Sequence, residues 1–139
     1  MGTNAKGKKM NKIVEELKKV KIFYIATVDE NKPKVRPFSS VTEFNNHVYI
    51  CSGKNKEIYK QLEKNPYVEL SGMYDGGTWL RVSGKAIIDN TAQEAMLLDP
   101  TGPSQLYKAN DGRFVTYRLE EIKAYKFNFY AAPEEIKEN

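Results

Sequence analysis

The sequence predicts a mostly β, α+β protein: a six- to seven-stranded antiparallel β-barrel with two or three helices over its openings. Short segments rich in β-branched and aromatic residues follow one another, separated by turns that contain Asn, Gly or Pro. Neither an internal repeat nor a regular alternation of strand and helix is present, which disfavours a parallel sheet. The 139 residues fit one domain. We expect it to span residues 10–130, between a disordered basic tail at 1–9 and a frayed tail at 131–139.

The first half of the chain reads as a helix followed by strands. Apolar residues at helical spacing predict a helix over 11–20, with Asn11 as its cap. Strands are predicted at 22–28, 34–41 and 48–51. Because proline cannot donate a backbone hydrogen bond, Pro37 marks a sheet edge or a bulge.

The second half continues with helices between longer strands. Asn55 is a good cap for a helix over 56–64, and Thr91 with Glu94 forms a capping box for a helix through residue 98. Gly84 permits a bend in its strand. The predicted strands lie at 67–74, 78–89, 114–119 and 123–129, with a loop at 99–110.

The net charge of +4 does not indicate a nucleic-acid binder, because it is concentrated at one end. Residues 1–20 hold six lysines and two glutamates, a balance of +4 that equals the charge of the whole chain. The rest is neutral, whereas a nucleic-acid surface needs a broad basic stripe. No segment is long and apolar enough to span a membrane, and no secretory signal is present, so we expect a cytoplasmic protein.

Cys51 is the only cysteine and His47 the only histidine, which excludes an internal disulfide and a cysteine-rich metal site. The two residues lie on one face of a predicted strand, which would allow a Cys–His nucleophile pair. Nothing in the sequence orients the imidazole, so we interpret them as a small buried thiol and a histidine at a turn.

Two basic, hydroxyl-rich segments at strand ends predict an anion site, and they suit a phosphate group. The first segment runs from Arg36 to Ser40, and the second, from Ser52 to Lys56, leads into a helix. Arginine offers a planar two-donor fork, lysines offer point charges, and a helix start offers free N–H groups. Gly53 lets the backbone approach a ligand closely.

Trp79 and Arg81 share one face of a strand that follows a double-glycine turn. Trp79 is either a core residue or the wall of a site for a planar ring. Arg81 either pairs with an acid or helps to hold a ligand.

Several motifs occur together in a characteristic order. They are Phe23-Tyr24-Ile25-Ala26-Thr27-Val28, Pro33, Val35-Arg36-Pro37-Phe38, Lys54-Asn55-Lys56, Gln61-Leu62, Asn65-Pro66-Tyr67-Val68 and Thr78-Trp79-Leu80-Arg81-Val82-Ser83-Gly84. Over about residues 10–129 this series resembles the short flavin-binding proteins related to pyridoxamine 5′-phosphate oxidase. The resemblance implies a split β-barrel that forms a homodimer, with FMN in a groove between the subunits.

The resemblance also implies roles for individual residues. Arg36 and the turn of Lys54, Asn55 and Lys56 would hold the FMN phosphate, with Gln61 nearby. The ring would lie along the backbone of Arg36, Pro37, Phe38, Ser39 and Ser40, and of Cys51 and Ser52. Trp79 and Arg81 would approach the flavin, often from the other subunit.

The chain departs from the full-length oxidases at its end, since no arginine follows Arg118 and no histidine follows His47. Oxidation of pyridoxamine phosphate is therefore not expected. The interpretation is an FMN-dependent oxidoreductase acting on an unknown small-molecule redox substrate, which would bind beneath the 99–110 loop near Tyr107. The alternatives are a non-catalytic module that stores or senses FMN, a nucleic-acid binder acting through residues 1–20, and a barrel holding a deazaflavin or haem.

Overall fold

A computed structural model describes residues 10–138, so the predicted tail at 1–9 and the final residue lie outside the described residues. Within this range the chain forms three α-helices and eight antiparallel strands, which confirms the predicted class. The helices are α1 (Lys12–Val20), α2 (Glu57–Lys64) and α3 (Gln93–Leu97). The strands are β1 (Phe23–Asp29), β2 (Lys32–Phe38), β3 (Thr42–Phe44), β4 (His47–Gly53), β5 (Tyr67–Met73), β6 (Trp79–Ile88), β7 (Phe114–Phe127) and β8 (Glu134–Ile136).

The eight strands belong to one sheet, in the order β2-β1-β5-β6-β7-β4-β3, with β8 paired to β7. β7 is long enough to pair with β4 through its first half and with β8 near its end. Pro37 lies on β2, an outermost strand of this order, so its missing N–H breaks no ladder. The edge position predicted for Pro37 is confirmed.

Two hydrophobic clusters fix the end of β4, where the candidate site lies. The larger one joins the sheet to α1 and α2, with Leu17 of α1 and Ile50 of β4 fully buried. The smaller one lies on the opposite face, where Met96 of α3 packs with Tyr49 and Cys51. Every residue of β4 after the first is therefore buried, which makes this strand a rigid support.

The division predicted in the last long strand needs correction. The two strands predicted at 114–119 and 123–129 are one strand, β7, and the predicted break is a bulge. The register with β6 shifts between Ser83 and Lys85, opposite Glu121, whose φ of 53° is left-handed. The bend expected at Gly84 is thus confirmed, but as a bulge that leaves the strand continuous.

The predicted N-terminal cap is present at α1 and absent at α2 and α3. Asn11 caps α1 by accepting hydrogen bonds from the N–H groups of Ile13 and Val14. The helix predicted from residue 56 begins at Glu57, and the residue before it, Lys56, makes no side-chain cap, so the prediction for Asn55 is wrong. Asp89, rather than Thr91, accepts the N–H at the turn that precedes α3.

The strand count exceeds the prediction because two strands are only three residues long. β3 lies between the strand predicted at 34–41 and the one predicted at 48–51, where no strand was predicted, and β8 lies in the tail predicted to be frayed. β8 pairs with 124–126 of β7, so the tail is held to the sheet there. No helix within residues 10–138 has the length and apolar character required to cross a membrane.

Candidate functional site

A cavity of about 460 Å³ opens where the ends of β2 and β4 and the start of α2 meet the loop after α3. We call it the Arg36 cavity. Its lining is Arg36, Pro37, Phe38, Ser39, Ser40, Cys51, Ser52, Gly53, Lys56, Glu57, Ile58, Thr101, Gly102, Pro103, Leu106 and Tyr107. The two segments that the sequence predicted to converge therefore share one cavity. Its volume lies within the range of about 300–1,000 Å³ found for small-molecule and cofactor sites.

Arg36 is held by uncharged oxygens. Its Nη1 donates to Thr27 Oγ1 at 2.7 Å and to the carbonyl of Ile25 at 3.2 Å, and its Nη2 donates to Gln61 Oε1 at 2.7 Å. No carboxylate among residues 10–138 forms an ion pair with it. Burial lowers the pKa of Arg36, yet a guanidinium remains charged at neutral pH. The cavity therefore contains a positive charge that the described chain does not neutralise.

The start of α2 adds donors to the same wall. Lys56, Glu57 and Ile58 line the cavity, and no side chain caps the first N–H groups of the helix. Such N–H groups carry the positive end of the helix dipole and favour an anion. Glu57 is the one carboxylate among the lining residues, and its exposed side chain lies 3.9 Å from the ammonium of Lys60.

The loop after α3 closes the cavity from the opposite side, and two carboxylates hold it. Asp99 accepts hydrogen bonds from the N–H groups of Val41 and Thr101. Asp111 accepts from the N–H groups of Lys108 and Phe114, among others. These bonds lower the pKa of Asp111 to about 2. Both anchors act on the backbone, so they fix the path of the loop.

Tyr107 is the aromatic residue of this loop and lies directly over β4. Its ring stacks on Phe114, with centroids 5.1 Å apart. A Cβ built on Gly53 would lie 2.2 Å from the Tyr107 hydroxyl, so the ring occupies the space that a side chain would need. Any larger residue at position 53 would therefore force the Tyr107 ring to move.

Cys51 lines the cavity as a buried thiol. Burial, with the nearby Asp99 carboxylate as a second cause, raises the pKa of Cys51 to about 12. The thiol is therefore protonated at neutral pH, and a reactive thiolate is not available. His47 is exposed and lies outside the lining of this cavity, so the Cys–His pair considered from the sequence is not formed.

Five residues predicted for the site lie outside the cavity lining: Lys54, Asn55, Gln61, Trp79 and Arg81. Lys54 donates its N–H to the carbonyl of Arg113, and Gln61 stands behind Arg36. Trp79 stacks on Phe127, with centroids 5.6 Å apart, and Arg81 pairs with Glu69 at 3.1 Å. Trp79 and Arg81 belong to an outward face of the sheet.

The sequence did not single out several residues that the fold places at the site. They are Thr27, Glu57, Ile58, Thr101, Gly102, Pro103 and Leu106. Thr27 lies among other β-branched residues of a strand, and nothing in that pattern indicates that its hydroxyl contacts an arginine on the next strand. Tyr107, in contrast, was expected near the site, and it lines the cavity.

A second and larger cleft, of about 620 Å³, lies beside β4 and β7; we call it the Arg118 cleft. Its lining is Asn45, His47, Tyr49, Asp89, Thr91, Arg118, Leu119, Glu120, Glu121, Ile122 and Glu138. Arg118 pairs with Asp89 and, at 2.7 Å, with Glu120. Residues 10–138 contain no group of three or more His, Cys, Asp and Glu side chains that could hold a metal ion.

The fold and the cavity define a class, that of small split-barrel proteins with a cavity of cofactor size at the ends of two strands. Residues 10–125 match the family model for pyridoxamine 5′-phosphate oxidase, and the chain belongs to this family. The resemblance inferred from the sequence is therefore confirmed.

Solved structures show the same fold. A NimC/NimA family protein from Clostridium acetobutylicum is 32% identical, with a TM-score of 0.83 over 89% of this chain and 88% of that chain. An FMN-binding protein related to pyridoxamine 5′-phosphate oxidase, from Nostoc punctiforme, is 14% identical, with a TM-score of 0.56 over 89% and 91%. A heme-binding protein from Mycobacterium smegmatis is also 14% identical, with a TM-score of 0.63 over 89% and 57%. No curated protein matches the chain.

Proposed function

We propose that this protein binds FMN in the Arg36 cavity, as a homodimer, and acts as a flavin-dependent oxidoreductase on a small molecule. The phosphate would lie between Arg36, Lys56 and the first N–H groups of α2. The ring would lie along the 36–40 backbone and Cys51–Ser52, beneath Tyr107. When bound, the flavin supplies hydride transfer, and the protein supplies its position and electrostatic environment.

One observation carries this proposal: a cationic end and a largely uncharged end share one cavity of cofactor size. Arg36 has no carboxylate partner among the described residues, and the uncapped start of α2 faces the same place. Away from them, the lining consists mainly of uncharged residues, among them Phe38, the protonated thiol of Cys51 and Tyr107. This charge distribution matches a molecule with a phosphate at one end and a flat neutral ring at the other.

The residues favour flavin over haem. The cavity lining contains no histidine, and Cys51 is held as a thiol by its raised pKa. The one histidine, His47, lies in the Arg118 cleft, where its Nδ1 is 2.9 Å from the carbonyl oxygen of Asn45. The usual axial ligands of haem iron are therefore not offered to a group bound in the Arg36 cavity.

The outward sheet face supports the homodimer. Strand register places Tyr24, Val35, Tyr67, Met73, Trp79, Tyr125 and Phe127 on this one face. Val35 and Met73 are 66% and 60% exposed, and the apolar residues of this face extend across β2, β1, β5, β6 and β7, with the Arg81–Glu69 ion pair among them. A face of this kind is typical of a protein interface. Trp79 and Arg81 lie on it, so their predicted approach to the flavin would have to come from the partner subunit.

Flavin binding is tested by the cofactor that the purified protein retains. We expect a yellow protein that releases FMN on denaturation, and an apoprotein that binds FMN more tightly than riboflavin. Consumption of NADH or NADPH with an added acceptor would establish turnover, whereas tight flavin binding without turnover would indicate a storage or sensing module. A colourless protein with no affinity for FMN would contradict the proposal.

The dimer is tested with lysine substitutions on the outward face. We expect a dimeric mass in solution and a monomeric mass for Met73→Lys and Val35→Lys, because a buried unpaired ammonium is unfavourable. Leu98→Lys is the matched control, since Leu98 is 81% exposed at the end of α3 and is not one of the apolar residues named above for this face. A wild-type monomer that still binds FMN would contradict a shared groove.

A further inference from the structure

Arg36 donates three hydrogen bonds, and all three come from its Nη1 and Nη2 atoms. Both acceptors of Nη1, the Thr27 hydroxyl and the Ile25 carbonyl, are on β1, and Gln61 of α2 accepts from Nη2. Thr27 also donates its hydroxyl proton to Gln61 Oε1, so these two acceptors lie side by side. Thr27 and Gln61 are 2% and 6% exposed, which keeps the arrangement away from water.

The remaining donors of Arg36 form a second fork. A guanidinium has five N–H groups: two on each Nη atom and one on Nε. The contacts above use both on Nη1 and one on Nη2. The Nε–H and the second Nη2–H lie on the same side of the planar group, and no acceptor among residues 10–138 takes them. Arg36 is among the residues that line the cavity, and these two N–H groups are the ones that its described partners leave to a ligand.

All three acceptors are neutral, and this preserves the charge on Arg36. Arg81 shows the alternative, because both its Nε and its Nη2 donate to the carboxylate of Glu69. An arginine paired in that way offers an anion little net attraction. The Thr27–Gln61 pair gives Arg36 a fixed orientation without neutralising it.

We propose that Thr27 and Gln61 are positioning residues that fix Arg36 with its Nε–Nη2 edge directed at an anion, which the fork would bind through two oxygens. The inference rests on the proposed function, since it explains how the FMN phosphate is held. It differs from the sequence-based role of Gln61, because the amide acts on the arginine instead of contacting the ligand. Thr27 has no other assigned role.

The decisive variant is Gln61→Glu, which keeps the size of the side chain and adds a negative charge beside Arg36. We expect FMN affinity to fall by about 10- to 100-fold, because the arginine becomes neutralised and the new carboxylate repels the phosphate. The melting temperature should not fall, since the new ion pair replaces a neutral contact. Riboflavin, which has no phosphate, should bind the variant and the wild type equally.

The matched control is Lys60→Gln, which also changes the charge by −1 on α2, at an exposed position. We expect it to bind FMN as the wild type does, to within about a factor of three, because its effect is screened by solvent. Thr27→Val should weaken FMN binding, because valine lacks the hydroxyl. Thr27→Ser keeps the hydroxyl and should bind FMN as the wild type does. If Thr27 and Gln61 only stabilised the fold, their substitution would change the affinities for FMN and riboflavin alike.

The outcomes separate this inference from the proposed function. If the wild type prefers FMN to riboflavin but Gln61→Glu behaves like Lys60→Gln, the positioning role is wrong and the flavin site stands. If the wild type binds no flavin, the proposed function is wrong, and inorganic phosphate tests the positioning role through the NMR signal of the Arg36 Nε–H. A phosphate-dependent shift that Gln61→Glu abolishes would support it, and its absence would overturn it.

Discussion

The Arg36 cavity and the Arg118 cleft each contain an arginine, but only the arginine of the Arg118 cleft is paired with carboxylates of the described residues. In the Arg118 cleft, hydrogen bonds to Glu120, Tyr49 and Asp89 raise the pKa of Arg118. In the Arg36 cavity, burial lowers the pKa of Arg36, and its partners are neutral oxygens. The larger cleft has therefore already neutralised its cation, and the smaller one has not. Charge balance, and not volume, is the reason why we propose the Arg36 cavity as the site for an anion.

The titratable groups near the two arginines differ in the same way, as the pKa values of Asp89 and Cys51 show. Near Arg118, hydrogen bonds, first of all from Thr91, lower the pKa of Asp89, so charged forms are favoured. In the wall of the Arg36 cavity, burial disfavours the charged form of Cys51. One region stabilises its charges by pairing them, and the other leaves the charge of Arg36 without a carboxylate partner among residues 10–138. The predictions below test the two halves of this comparison.

The largest effect is expected at Cys51. With a pKa of about 12 against a usual 9.0, its thiolate population near pH 8 should be about 1,000-fold below that of an ordinary thiol. We expect alkylation by iodoacetamide to be slower by this factor in the folded protein. Cys51 is the only cysteine, so mass spectrometry follows it without ambiguity. A folded-state rate within tenfold of the rate in denaturant would break the comparison.

The next effect concerns the two arginines directly. Arg36→Ala should weaken FMN binding about 10- to 100-fold, the loss expected for a charge-assisted hydrogen bond. Arg118→Ala removes the same charge from the other cleft and should leave FMN affinity unchanged. Fluorescence titration of the apoproteins measures both. Equal losses would mean that overall charge, and not the unpaired guanidinium, attracts the cofactor.

For stability we expect the reverse: a substitution in the Arg118 cleft should lower the free energy of unfolding and leave FMN affinity unchanged. Asp89 accepts hydrogen bonds from Tyr49, Thr91 and Arg118, so Asp89→Ala leaves several donors without their acceptor. We expect a loss of about 1–2 kcal/mol in the free energy of unfolding, with FMN affinity of the folded protein unchanged. Chemical denaturation and FMN titration of the same variant check the two parts. A loss of FMN affinity would place Asp89 in the binding machinery and remove the distinction between the clefts.

The sequence predicted the class of fold because turn residues and strand composition are local signals. It also predicted the convergence of Arg36 with the 52–56 turn, since both segments lie at strand ends. It did not reveal Thr27, because the contact of Thr27 with Arg36 depends on the pairing of β1 with β2. It did not predict the failure of Asn55 as a cap either, since the Gly53 carbonyl and the Arg113 carbonyl fix this turn through backbone bonds.

The smallest effect is expected at Asp111, which anchors the loop over the Arg36 cavity. Hydrogen bonds from backbone N–H groups, first of all that of Lys108, lower the pKa of Asp111 to about 2 from a usual value of 3.8. Because the folded-state pKa is depressed, the stabilisation is complete above 3.8 and is lost as the pH falls toward 2.

Asp111→Asn should remove the part of the acid-induced loss of stability that protonation of Asp111 causes. Between about pH 5 and pH 2, we expect the free energy of unfolding of the variant to fall less steeply than that of the wild type. The protection of the Lys108 and Phe114 amides from hydrogen exchange, relative to their intrinsic rates at each pH, should fall with acid in the wild type only, because these N–H groups bond to Asp111. Parallel curves for the two proteins would show that Asp111 does not hold the loop. The wall of the Arg36 cavity would then depend on Asp99 and the stacking of Tyr107 on Phe114.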